Sequence, residues 1–95
     1  MSDIDYDLLS KKAEILKVIA HPVRLAIIKG LIENGPTSVG KMETGIEYYL
    51  TATKSQHLNK IKSTGLLKTK RKGTHIFYSL VDKENLVAAL KIFLY

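Results

Sequence analysis

The chain has no cysteine among its 95 residues and no long apolar run. Without cysteine there are no disulfides, thiolate metal ligands or cysteine nucleophiles, as expected of a protein in a reducing cytosol. The first residues, MSDIDYDLL, lack the basic and then apolar segments of a signal peptide. No apolar run approaches the roughly 20 residues that cross a bilayer. We therefore expect a cytoplasmic protein with no membrane contact.

Motifs of catalysis are also missing. The sequence has no phosphate-binding glycine loop, no GxSxG elbow and no HExxH pair. The three histidines, His21, His57 and His75, fall in three different predicted elements, which argues against a shared metal or catalytic site. We therefore expect neither an enzyme nor a bound metal or cofactor.

Acidic residues are absent between Tyr48 and Val81, where seven basic residues occur; we call residues 48–81 the basic stretch. Residues 1–47 have six basic and seven acidic residues, and residues 82–95 have two of each. The formal net charge of +6 therefore arises in the basic stretch alone. A basic surface confined to one part of a small domain indicates a polyanionic partner.

Apolar spacing divides the single domain, residues 1–95, into elements. It predicts helices at 5–20, from Pro22 to about residue 33, at 51–64 and at 83–95, with strands at about 66–71 and 74–80. Ser2 or Asp5 can cap the first helix and Asp82 the last. A short helix capped by Thr37 or Ser38, carrying Val39 and Met42 and ending at Gly45, is expected between the second and fourth. The fold class is mainly α, with about five helices and a two-stranded hairpin, in the order of a winged helix-turn-helix.

The helix at 51–64 has two different sides. Leu58 and Ile61 share the side expected to face the core. Gln56 and Asn59 lie elsewhere and can pair bidentately with adenine, while Lys60 can reach guanine or phosphate. Any solvated helix is polar, but this one lies within the basic stretch. We therefore predict that it reads double-stranded DNA.

The hairpin at about 66–80 is expected to supply charge through Lys68, Lys70, Arg71 and Lys72, which can meet phosphates or a minor groove. Lysines on an edge strand also discourage strand pairing, which is the alternative interpretation. The complete set of predicted DNA contacts is Thr53, Ser55, Gln56, Asn59, Lys60, Ser63, Lys68, Lys70, Arg71, Lys72 and Thr74.

The last helix is apolar nearly all round, since Lys91 is the only charged residue from Leu86 to Tyr95. Such a helix needs more burial than one small domain provides. We predict a homodimer in which the terminal helices, 5–20 and 83–95, meet their copies. The predicted interface residues are Leu8, Leu9, Ile15, Leu86, Leu90, Phe93 and Leu94.

Several short strings resemble those of ArsR/SmtB-type winged-helix repressors. They are residues 21–28 (HPVRLAII) at a helix start, residues 55–58 (SQHL), residues 65–67 (GLL), and residues 71–73 (RKG) running on to residues 78–80 (YSL). The resemblance spans roughly residues 14–82. It implies a homodimeric repressor that leaves DNA when an inducer, often a metal ion, binds.

The metal ligands of that family have no counterpart here. Residues 38–41 (SVGK) stand where the metal-sensing cysteines of the third helix are usual, and the last helix has no histidine. Asp82 and Glu84 alone are a poor zinc site, because zinc favours imidazole or thiolate. The inducer, the operator and the target genes cannot be read from the sequence. The alternatives are an RNA-binding or ribosome-associated module and a winged helix that binds only protein.

Overall fold

The computed structural model describes residues 3–41 and 51–95. The elements in chain order are α1 (Tyr6–Ile19), α2 (Pro22–Asn34), β1 (Thr37–Ser38), a 3-10 turn (Val39–Lys41), α3 (Thr51–Lys62), β2 (Leu67–Lys72), β3 (His75–Leu80) and α4 (Lys83–Leu94). This order confirms a mainly α winged helix-turn-helix, with four α-helices in the described residues rather than about five. None of the described helices is long and apolar enough to cross a membrane.

Local capping sets where the first two helices begin. The Asp5 carboxylate accepts the backbone N–H of Leu8 at 3.0 Å, as predicted for the cap of α1. His21 caps α2, because its Nδ1 accepts the backbone N–H of Val23 at 3.1 Å. At α4 the predicted N-cap position is confirmed, but the side-chain hydrogen bond typical of a cap is not formed. Asp82 stands at the capping position, but its carboxylate accepts the side-chain amide of Asn85 at 2.9 Å and no backbone N–H.

A three-stranded antiparallel sheet, in the order β1-β3-β2, replaces the predicted two-stranded hairpin. Thr37 and Ser38, predicted as possible caps of a short helix, pair as a strand with Tyr78 and Phe77 of β3. The 3-10 turn then occupies the start of the expected short helix, whose remaining positions, Met42 to Gly45, lie outside the described residues. The turn between β2 and β3 has Gly73 in its first position with a φ of 62°, which other residues rarely adopt.

Side chains from all the described helices and from the sheet form one core. Within α2, Ile28 and Leu31 are buried, while Leu25 and Ile32 pack at the edge of the core. The buried apolar residues described are Ile19, Val23, Ile27, Ile28, Leu31, Leu58, Ile61, Leu67, Leu80, Leu90 and Leu94. Leu58 and Ile61 have 0% of their surface exposed, so α3 is fixed by the side that its spacing predicts.

Arg24 of α2 connects α3 to the end of α1. Its Nη1 donates to the carbonyl oxygen of Val18 at 2.8 Å, and its Nε donates to Nδ1 of His57 at 3.2 Å. The rings of His57 and His21 lie with their centroids 4.8 Å apart. The start of α2 and the middle of α3 are therefore joined by polar contacts as well as by the apolar core.

Burial, and then the nearby charges of His21 and Arg24, lower the pKa of His57 below its ordinary value of 6.5. Its neutral form is the one that accepts the Arg24 hydrogen bond. The folded protein therefore binds a proton at this ring less readily than the unfolded chain does.

The lowered pKa predicts how stability depends on pH. Below about pH 6.5 the unfolded chain takes up a proton at His57 that the folded protein resists. The free energy of unfolding should therefore be highest above pH 6.5, should fall as the pH drops below it, and should level off below the folded pKa. Urea unfolding at a series of pH values measures this profile.

The matched pair of variants is His57→Gln and His75→Gln, since His75 is exposed on β3. The His57→Gln profile should be flatter between pH 6.5 and 5 than that of the wild type, and the His75→Gln profile should keep the wild-type slope. An unchanged slope in His57→Gln would assign the dependence to other groups.

Candidate nucleic-acid interface

One side of α3 is polar and open to solvent. Gln56, Asn59, Lys60 and Ser63 are exposed and line a shallow groove. At about 100° per residue, three of them lie roughly opposite Leu58, with Asn59 to one side. The Ser63 hydroxyl donates to the carbonyl oxygen of Lys60 at 2.6 Å, which leaves its oxygen as an acceptor. The face therefore presents amide, ammonium and hydroxyl groups of the kind that contact base edges and phosphates.

Ser55 and Thr74, two of the predicted DNA contacts, lie outside this polar face of α3. Ser55 is half-buried and shares a separate groove with Val39, Thr74 and Tyr78, between the 3-10 turn and the hairpin. The exposed Thr74 is at the hairpin turn. Thr53 belongs to the first turn of α3 by its backbone, and its side chain lies outside the described part of the structure. The predicted set of helix contacts is therefore not a single surface.

The basic residues of the hairpin lie on two different faces. Lys68, Lys70 and Lys72 alternate along β2 and line one groove with Phe77 of β3. The ammonium group of Lys72 lies 5.7 Å from the centre of the Phe77 ring. Arg71 points to the other side, and its Nε donates to the carbonyl oxygen of Gly73 at 3.2 Å. Three lysines thus form a continuous cationic strip, while Arg71 supports the turn.

Arg24 is the residue at this site that the predicted contacts omit. It lies in the same groove as Gln56, Asn59 and Lys60. The sequence did contain a signal for Arg24. It is the first charged residue of an otherwise apolar helix start, and it belongs to the string at residues 21–25. Its partner His57 is far away in the sequence, so this contact could not be read from local spacing.

Two of the three histidines lie side by side, and the third lies apart from them. His21 and His57 are adjacent, but both Nδ1 atoms accept hydrogen bonds. Each neutral ring then carries its proton on Nε2 and keeps no lone pair for a metal. His75 stands apart on β3, and within residues 3–41 and 51–95 no three His, Asp or Glu side chains come together.

A second candidate surface, made by α1 and α4, is apolar. Of the predicted interface residues, Leu8, Leu9 and Phe93 are exposed, and Ile15 and Leu86 are half-buried. Leu90 and Leu94 are 5% and 8% exposed, so they belong to the protomer core instead. Leu16 and Ile92, which were not predicted, are exposed on the same two helices.

No family model matches the chain, but individual proteins do. An uncharacterized HTH-type transcriptional regulator of Methanocaldococcus jannaschii is 42% identical over 72 residues, which are 76% of this chain and 80% of that protein. The transcriptional repressor PagR of Bacillus anthracis is 38% identical over 77 residues, which are 81% of this chain and 76% of the repressor.

Solved structures agree in fold. The crystal structure of PagR superposes with a TM-score of 0.72 at 34% identity, covering 90% of this chain and 99% of PagR. A homodimeric winged helix-turn-helix DNA-binding domain of Mycobacterium bovis, described as a possible ArsR-family transcriptional regulator, gives a TM-score of 0.79 at 29% identity, covering 98% of this chain and 86% of that domain. These relatives and the order of elements confirm the resemblance seen in the sequence: the chain belongs to the ArsR-type family of winged helix-turn-helix transcriptional regulators.

Proposed function

We propose that this protein is a homodimeric transcriptional repressor of the cytoplasm that binds an inverted-repeat operator. The exposed face of α3 enters the major groove, and the lysines of β2 contact the neighbouring backbone. The observation that carries the proposal is the exposed polar face of α3, which lies opposite a fully buried side in a protein that also has a cationic strip on β2.

Base reading is assigned to α3 because of the chemistry of its exposed groups. The Gln56 and Asn59 amides each offer one donor and one acceptor side, as adenine requires in the major groove. Neither amide is engaged in a hydrogen bond within the described residues. The buried Leu58 and Ile61 hold the helix so that these groups stay exposed.

Phosphate binding is assigned to the strip of Lys68, Lys70 and Lys72. All three are exposed, and none of them pairs with a carboxylate within the described residues. A row of cations at alternate positions along a strand suits a run of phosphates, whose counterions are released on binding. Phosphate binding by these lysines does not depend on the base sequence of the DNA, and it adds affinity to the base contacts of α3.

Dimerisation is inferred from the terminal helices. Ile19 is the only buried residue of α1, although that helix also carries Tyr6, Leu8, Leu9 and Leu16. With Phe93 and Ile92 of α4, which are 69% and 82% exposed, they make an apolar surface of the kind that marks an interface. A homodimer through these helices supplies two copies of α3, which would read successive major grooves about 34–36 Å apart.

The first prediction concerns sequence reading by Gln56. The Gln56→Ala protein should lose about 1–3 kcal/mol of affinity for the duplex that the wild type selects from a random pool. Its affinity for a random duplex should hardly change, because phosphate contacts remain. Gel shifts at one fixed salt concentration measure both affinities.

Asn85→Ala is the matched control, because it removes an exposed amide at the start of α4. Equal losses by Gln56→Ala on selected and random duplexes would contradict base reading. A preference of the wild type for structured RNA over any duplex would favour the RNA-binding alternative.

The second prediction concerns the hairpin. Changing its four basic residues, Lys68, Lys70, Arg71 and Lys72, to alanine should make binding less salt-dependent. The slope of log K against log salt should become shallower by about 0.9 for each phosphate contact that is lost. A control protein loses four exposed lysines outside the basic stretch: Lys11, Lys12, Lys17 and Lys83.

The control protein should keep the wild-type slope. If the hairpin variant also keeps it, the hairpin is not part of the interface. Arg71→Ala alone tests the division seen in the structure, since Arg71 supports the turn and should change the slope little.

The third prediction concerns assembly. The wild type should sediment as a dimer at micromolar concentration, and Phe93→Glu should sediment as a monomer, because a buried unpaired carboxylate is costly. Val81→Glu is the control, since Val81 is an exposed apolar residue outside the helices. A stable wild-type monomer would contradict the dimer.

A further inference from the structure

Arg24 has N–H donors that no acceptor in residues 3–41 and 51–95 engages. A guanidinium carries five N–H donors. One on Nη1 goes to the Val18 carbonyl oxygen and the one on Nε goes to His57. Both donors of Nη2 and the second donor of Nη1 have no partner within the described residues.

The charge of Arg24 also has no acidic partner among the described residues. The side chain is half-buried, yet no carboxylate lies within ion-pair distance of it in the described part of the chain. Its neighbours His21 and His57 are groups that become positive on protonation, and their proximity is one reason for the lowered pKa of His57. A partly desolvated cation is stabilised by an anion that reaches it from outside the protein.

The position of Arg24 indicates which anion this is. Arg24 lines the groove that also contains Gln56, Asn59 and Lys60 of α3. Hydrogen bonds to two helices hold its planar guanidinium in place, which reduces the entropy lost when a ligand binds. A planar fork with parallel N–H groups matches the two free oxygens of a backbone phosphate.

We propose that Arg24 binds a phosphate of the DNA backbone beside the major groove that α3 enters. This inference rests on the proposed function and adds a contact from α2. The same side chain touches the α1 carbonyl, the α3 imidazole and the phosphate, so it fixes how deeply α3 lies in the groove.

Salt dependence tests this contact directly. For binding to a random duplex, Arg24→Gln should reduce the slope of log K against log salt by about 0.9 and weaken binding roughly 5- to 10-fold at 0.1 M salt. Lys29→Gln is the matched control, because it removes one positive charge from the same helix. The Lys29 ammonium lies 4.8 Å from the centre of the Tyr95 ring, against α4, so its loss should leave the slope unchanged.

The salt slope separates a phosphate contact from a purely structural role. If Arg24 only positions α3 through His57, Arg24→Gln weakens binding and keeps the wild-type slope, and the proposal is then overturned. If the wild type itself fails to bind any duplex, the proposed function fails with it. Thermal unfolding shows whether the variant is folded.

A second measurement uses the wild type and does not depend on the fold of a variant. The chain has two arginines, Arg24 and Arg71, so an Arg71→Lys sample assigns their guanidinium NMR signals. On addition of a random duplex, phosphate binding should shift the Arg24 Nη signals and slow rotation of that group. Arg24 Nη signals that stay as in the unbound protein, while the duplex is bound, would also overturn the proposal.

Discussion

The complete burial of Leu58 and Ile61 is the constraint on which the DNA-binding surface depends. Three residues apart on a helix, they lie on one side and leave α3 a single rotational setting against the core. That setting turns Gln56 and Lys60 to the solvent. The chemistry of the exposed face is therefore decided by two aliphatic residues that never touch a ligand, and exchanging buried and exposed positions would cost the core several kcal/mol.

Arg24 adds a second constraint of a different kind. Apolar packing fixes the rotation of a helix but tolerates small shifts along its axis, whereas hydrogen bonds at 2.8 and 3.2 Å do not. By joining the Val18 carbonyl to His57, Arg24 sets α3 relative to the end of α1. The Arg24–His57 hydrogen bond requires the neutral form of His57. Burial of that ring favours the neutral form, so it helps to maintain the bond that positions α3.

The sequence correctly predicted the features that depend on interactions between residues close together in the chain. The helix break before Pro22, the Asp5 cap and the buried side of α3 all follow from short-range spacing, and the structure confirms them. Pairings between distant residues were missed. Thr37 becomes a strand only because Tyr78 lies beside it, and His57 meets His21 only through the packing of α3 on α2. The same limit explains why Arg24 did not stand out as a site residue.

The terminal helices show how assembly and reading depend on each other. Leu90 and Leu94 were predicted at the dimer interface, but both are buried in the core of one protomer, in which α4 packs against α2. The opposite side of α4, with Ile92 and Phe93, is exposed, and Phe93 lines a small apolar cavity with Leu16 of α1. One α3 offers only a few base contacts, each worth about 1–3 kcal/mol, which is too little to distinguish one site in a genome. In the proposed dimer, joining two protomers through the apolar side would double the contacts and fix their spacing. On that proposal the exposed apolar surface of α1 and α4 is as much a requirement for sequence reading as the polar face of α3.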